Sequence, residues 1–276
     1  MKNPFQKSFL KWAGGKSQSI KLISEEIYSD LAFGSCRCID RFIEPFVGSG
    51  VVFLNIEADK YIINDINTDL INVYKALQKE NKNFIEETKT LFRLGSTEES
   101  YYEFRKKFNS SKDIFEKAVL FLYLNRFCFN GLCRYNKSGK FNVPYGHPIT
   151  VYFPEKELKS MTIKLERTKI YNQPFEDIFE LAKENDTLFN DPPYVSLSET
   201  SNFTDYSKEG FTDEDQYKLA LLAEQSKAKV LISNHDTKFS RELYKNAKKT
   251  TELLVTRFIS ADGDKRRPVK ELLVEY

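Results

Sequence analysis

Three short stretches bring together residue types able to do chemistry. The run "NDPPY" at 190–194 puts a carboxylate, two prolines and a phenol ring into one loop. Proline has no N–H and a fixed φ, so Pro192 and Pro193 stiffen the turn and leave carbonyl oxygens without local donors. Such a loop fits an amino group carried on a flat base. Asp191 and the Pro192 carbonyl can accept its two N–H bonds while Tyr194 stacks on the ring. A proline-capped surface turn would explain the prolines but not the whole set.

The second stretch is "EPFVGSG" at 44–50, followed fifteen residues after Gly50 by Asp65. In nucleotide-binding α/β folds a first strand opens onto a glycine turn, and an acid ending the next strand takes the ribose hydroxyls. Phe46, Gly48 and Gly50 make F-x-G-x-G, shorter than the dinucleotide fingerprint, which suits adenosine without a pyrophosphate. The third stretch, "FLKWAGGKSQS" at 9–19, ends like a phosphate-binding P-loop. A P-loop has another glycine five places before its second one, and here that position is Leu10. The motif fails on its own terms.

These residues need a scaffold. "RFIEPF" (41–46), "KYIIND" (60–65) and "DTLFNDPPY" (186–194) read as parallel strands ending in loops, with further strands at 228–236, 250–259 and 269–276. Strands alternating with helical patterns predict a doubly wound α/β sheet. The last two strands are close enough in sequence to pair as a hairpin around Asp262, Gly263 and Asp264. Between residues 68 and 165 the pattern becomes helical and charged, then polar and aromatic. This predicts a mainly helical second domain inserted into a sheet domain of residues 1–67 and 166–276.

Bulk composition excludes several classes. With 276 residues, 41% hydrophobic and 30% charged, the chain reads as globular. No apolar run approaches the ~18 residues of a membrane helix, and no secretory signal follows the N-terminal lysines, so the expectation is a cytoplasmic protein. Cys36, Cys38, Cys128 and Cys133 are spaced poorly for zinc and read as ordinary core residues. Net charge is only +2, but residues 117–154 hold five Lys or Arg, nine Phe or Tyr and no acid. That composition suits phosphate binding and base stacking. It equally suits a buried helix followed by an acid-free loop.

Taken in order, "FLKWAGGK", "EPFVGSG", "NDPPY" and "LISNHDT" resemble the Dam-type DNA adenine methyltransferases. "LNRFCFNGLCRYNKSGKFNVPYG" (124–146) is similar to their target-recognition segment, and "LSETSNFTDY" (197–206) to the loop after their catalytic motif. The resemblance spans essentially the whole chain. It implies a Rossmann-like methyltransferase sheet with an inserted, mainly helical recognition domain. It also implies S-adenosylmethionine as donor, the adenine of GATC in double-stranded DNA as target, base flipping, no metal, and a monomer in solution.

By the same resemblance Trp12, Ala13, Gly14, Lys16, Phe46, Gly48, Gly50, Asp65 and Asp191 fall in the donor pocket, with Phe175 of "NQPFED" over the donor adenine. Asp191, Pro192, Pro193 and Tyr194 form the catalytic loop. Arg134 corresponds to the arginine that reads a guanine, as bidentate guanidinium geometry favours. Leu132 and Pro144 correspond to apolar base contacts, and Lys11 to a base-contacting lysine. Arg105, Asn136 and Asn142 correspond to phosphate contacts. Phe129 stands where the family has an intercalating aromatic, usually Tyr, with Asn130 beside it. Ser198 joins the DNA-facing set. His147 replaces an arginine of close relatives, so a permanent charge is missing there.

Three rival readings fare worse. A zinc base deaminase would need H-x-E with P-C-x-x-C, absent from the chain. Methyltransferases acting on protein amides or RNA usually carry Asn in place of Asp191. A DNA-binding regulator that has lost catalysis would not need the intact catalytic loop.

Overall fold

The computed structural model describes residues 4–30, 39–195, 210–256 and 268–276. The loop at 197–206 with Ser198, the turn at 262–264, Cys36 and Cys38 lie outside the described residues.

Consecutive residues of the first strand, β1 (Ile39–Glu44), feed opposite sides of a sheet: Phe42 packs into one apolar cluster and Ile43 into the other. The same two-sided burial makes β4 (Asp186–Asn190) buried throughout and β5 (Lys229–His235) nearly so, as strands covered on both faces require. With β2 (Ala58–Asn64), β3 (Thr168–Tyr171), β6 (Lys249–Thr256) and β7 (Pro268–Glu275) they form a seven-stranded sheet of order β3-β2-β1-β4-β5-β7-β6. β1 to β5 run parallel to one another, whereas β7 is antiparallel to both β5 and β6. The expected pairing of the last two strands is therefore present. β3, four residues long, was not among the expected strands.

Strand order reverses between β1 and β4, and such a switch point opens a crevice at the carboxyl ends of the strands. The loops after β1, β2 and β4 meet there, the last of them held by Ser233 and Asn234 near the end of β5.

Between β2 and β3 the chain inserts α3 (Thr68–Lys79), α4 (Asn81–Leu94), α5 (Glu98–Ser110), α6 (Ile114–Phe127) and α7 (Glu155–Leu165). α3 starts cleanly because the Asn67 side chain accepts the Leu70 N–H at 3.0 Å, and Thr97 with Ser100 forms a reciprocal cap on α5. α6 is the axis of this layer. Its residues 118–125 and Phe127 are buried almost all round, with α3, α4 and α5 packed about it. One apolar cluster runs from Phe84, Tyr101 and Tyr123 of these helices through to Phe42, Ile63 and Phe189 of the sheet. The opposite face is covered by α8 (Phe175–Phe179) and α9 (Asp213–Gln225). α1 (Ile20–Ile27), α2 (Val51–Asn55) and α10 (Lys238–Leu243) complete the described helices. Among them none is long and apolar enough to cross a membrane.

Candidate active site

The crevice at the switch point gathers the three stretches. Asp191 follows β4 directly. Its Oδ1 takes the Lys16 ammonium at 2.8 Å and the Ser233 hydroxyl, from β5, also at 2.8 Å. The Tyr194 phenol also forms a side-chain hydrogen bond with this carboxylate, whereas among the described residues no backbone N–H donates to the Pro192 carbonyl. The Pro193 carbonyl is different, since Gln216 of α9 donates to it at 2.7 Å. Only one of the two proline carbonyls expected to be free remains so.

Lys16 is 5% exposed, against 20% for Asp191. Its ammonium also donates to the Gly14 carbonyl at 2.9 Å and lies 4.6 Å from the centre of the Tyr194 ring. One face of that ring is thus already covered by a cation. The Tyr194 hydroxyl is anchored below, 3.0 Å from Ser233 Oγ and 3.1 Å from Glu271 Oε2 of β7. Burial, reinforced by the charges of Asp191 and Glu271, pushes the Tyr194 phenol well above its usual range, so it stays a donor. Asn234 holds the loop's exit by accepting the Val195 N–H at 3.1 Å.

On the other side of the crevice, Asp65 accepts the Gly48 N–H at 3.0 Å and the Asn67 N–H at 2.9 Å. Burial raises its pKa, against those two backbone bonds. Gly48 has φ +45, and a Cβ there would sit 2.9 Å from the Trp12 indole nitrogen, so the turn and the half-buried Trp12 fit only with glycine. Gly50, also at positive φ, opens α2. Ala13 and Gly14 are exposed on the rim. Phe46 and Phe175 lie 5.4 Å apart, and Phe211 closes a triangle with them at 5.6 and 5.5 Å.

Sequence reasoning missed Phe211, Ser233, Glu271 and Glu44. Ser233 and Glu271 lie in recognisable strands, but nothing local announces that they meet Tyr194. Glu44 is 2% exposed and accepts the Phe53 N–H at 2.8 Å. Burial holds its carboxyl well above the usual range, with the charges of Asp191 and Asp65 adding to the shift.

Beside the crevice, residues 128–145 are a small antiparallel hairpin rather than an open loop. Cys128 pairs with Tyr145 and Tyr135 with Phe141, around a turn at 136–139. Side chains spaced four apart on one face of α5 dock it. Tyr101 and Arg105 each donate to the Val143 carbonyl at 2.8 Å, and Asn109 exchanges two bonds with the Phe141 backbone at 3.0 and 2.8 Å. Tyr135 adds a bond to Asp69 of α3 at 2.8 Å. Cys128 and Cys133 pack in this region as free thiols, with burial pushing Cys133 up to about 11.

The hairpin presents several expected DNA-facing side chains. Phe129 is 43% exposed, and Asn130, Arg134, Pro144 and His147 are exposed. Arg134 is held by Asn142, its Nε donating to Asn142 Oδ1 at 2.8 Å. Asn142 thus aims the arginine, Arg105 grips the hairpin backbone, and Asn136 Oδ1 organises the turn by accepting from Ser138 and Lys140. Leu132 is half-buried against the core. The Lys11 side chain lies along the 129–131 turn. Partial burial and the neighbouring Arg126 guanidinium lower its pKa. Ser198 lies outside the described residues, and among those described no cluster of His, Cys, Asp or Glu could hold a metal.

Sheet order and crevice together define an α/β protein with its ligand site at the switch point of the sheet. Sequence comparison narrows the class: the model for "D12 class N6 adenine-specific DNA methyltransferase" matches residues 12–257. The chain is 43% identical to a DNA adenine methylase of Escherichia coli K12, over 98% of this chain and 95% of that protein. It is 42% identical to one from Vibrio cholerae N16961, over 98% and 96%. A Haemophilus influenzae DNA adenine methylase is 43% identical over 97% of this chain and 93% of its own length. The chain belongs to this D12 family of DNA methyltransferases, and its reaction is methylation of adenine N6 in DNA.

Proposed function

We propose that the chain transfers a methyl group from S-adenosylmethionine to an adenine flipped out of GATC in duplex DNA, with residues 68–165 serving target recognition. The observation that supports this most is the division of labour at Asp191. Lys16 and Ser233 both bond Oδ1, so Oδ2 and the Pro192 carbonyl can serve as a pair of acceptors. Two acceptors on one rigid loop match the two hydrogens of an exocyclic amine.

The crevice fits the donor by its chemistry. The Phe46, Phe175 and Phe211 rings suit a flat base, the Asp65 carboxylate suits ribose hydroxyls, and Trp12 walls the glycine turn. Lys16 uses two ammonium hydrogens within the protein, leaving a third for a carboxylate. S-adenosylmethionine, when bound, supplies an electrophilic methyl group on sulfur.

Adenine's amine is a poor nucleophile because its lone pair is delocalised into the ring. Hydrogen bonds to Asp191 Oδ2 and the Pro192 carbonyl draw the nitrogen toward a tetrahedral shape and free that pair. Asp191 then holds the proton that the amine sheds. Lys16, Ser233 and Glu271 keep this loop in place, so positioning supplies much of the rate. Extruding the base costs a few kcal/mol, offset in part by Phe129 filling the gap. Arg134 reads a guanine edge, and Lys11 contacts a base from the donor side.

Asp191→Ala tests the chemistry. Loss of the acceptor should slow methyl transfer by at least about 10²–10³-fold while affinity for duplex DNA stays near wild type. Near-normal turnover would overturn the proposed role of the loop.

A further inference from the structure

Asn125 sits in the last turn of α6, 2% exposed, and every polar atom of its amide is spent on two other segments. Its Oδ1 accepts the Lys11 N–H at 2.9 Å. Its Nδ2 donates to the Lys11 carbonyl at 2.7 Å and to the Gly131 carbonyl at 3.3 Å. Lys11 immediately precedes Trp12 at the donor crevice, and Gly131 lies between Asn130 and Leu132 on the DNA-facing turn. One side chain therefore joins segments 114 and 6 residues away from it.

The two segments are also pressed together. Gly131 has φ +66, and a Cβ added there would lie 2.2 Å from the Cβ of Lys11, the rigid root of that side chain. A Cβ there would strain the backbone and could be seated only by displacing Lys11. The Lys11 ammonium in turn donates to the Arg126 carbonyl at 3.3 Å, so the side chain lies along the turn that Asn125 grips. A buried amide with each polar atom bonded, and every bond reaching another segment, is a device for fixing relative position.

We infer that Asn125, with Gly131, is a specificity-positioning residue: it sets where Lys11 stands relative to the Phe129–Leu132 turn, and so which base edge Lys11 meets. The inference rests on Lys11 as a base contact. Asn125 itself touches no substrate. Removing its amide leaves the Lys11 N–H and two carbonyls without partners and lets the two segments slide apart.

Equilibrium binding reads this without turnover. Fluorescence anisotropy with a GATC duplex and four duplexes each changed at one pair gives a discrimination factor for every pair. Lys11→Ala identifies the pair that Lys11 reads, by a drop on the order of tenfold there. Asn125→Ala is expected to lower discrimination at that same pair by a comparable factor, and to leave the pair read by Arg134 near its wild-type value. Lys11→Ala with Asn125→Ala should show no further loss beyond either alone. Gly131→Ala should reproduce the pattern, which keeps the test decisive if Asn125→Ala melts far below the wild type. An unchanged profile, or an equal loss at all four pairs, would overturn the inference. A wild-type protein with no preference for GATC would instead overturn the function proposed above.

Discussion

Arg134 shows how much a single side chain owes to its neighbour. Its guanidinium is long and exposed, and unaided it would sample many rotamers. Asn142 holds Nε at 2.8 Å and the chain beyond pairs back through the Asn142 N–H to the Arg134 carbonyl at 3.1 Å. Pre-ordering of this kind lowers the entropy lost on contact with a base. Arg134→Ala should therefore cost roughly 1–3 kcal/mol of discrimination at one base pair. Asn142→Ala should affect the same pair more weakly, because the arginine survives but must find its own orientation. Competition binding with singly substituted duplexes checks both. A change spread over all pairs would mean that Arg134 contacts phosphate only.

At the scale of elements, β1 and α2 are joined by a buried carboxylate. Glu44 ends the strand and accepts the Phe53 N–H in the first turn of the helix, where the helix dipole favours negative charge. Burial outweighs this and raises its pKa above the ordinary value of 4.5. Folding thus favours the protonated form. Its contribution is fully present below about pH 4.5 and is lost as the pH rises through the higher folded value. Glu44→Gln keeps the acceptor for Phe53 and removes the titration. From about pH 4.5 upward the variant should gain on the wild type by about 1.4 kcal/mol for each step of one in pH, until the folded pKa is passed. Urea midpoints measured across that range check it, and parallel curves for the two proteins would contradict it. The expected residues that the structure gathers at the crevice are those in contiguous motifs, since a strand end and its loop carry their chemistry together. β3 escaped notice because four residues of mixed polarity carry too little periodicity. Contacts closed by tertiary packing escaped too: Tyr194 with Glu271 spans 77 residues and Arg105 with Val143 spans 38. For the same reason a pattern suggesting a phosphate contact at Arg105 could not show its grip on the hairpin.

In the proposed function the whole molecule brings two substrates together over one crevice. The sheet's switch point places Asp65 and Asp191 on facing loops, and the inserted helices share an apolar cluster with the sheet face. The hairpin is thereby fixed relative to the crevice by α5, by Asp69 of α3 and by Asn125 of α6. In the proposed function a shared core would let the inserted segment position DNA to within the tolerance that methyl transfer demands, since packed interiors transmit displacement rather than absorb it. One measurement tests the account most directly. The protein is incubated with methyl-labelled S-adenosylmethionine and two duplexes of equal composition, one carrying GATC and one a scrambled site, and the labelled base is identified after digestion. Label on adenine N6 from the GATC duplex alone is the expected result. Equal labelling of both duplexes, label on another base, or tight GATC binding with no transfer would contradict the account.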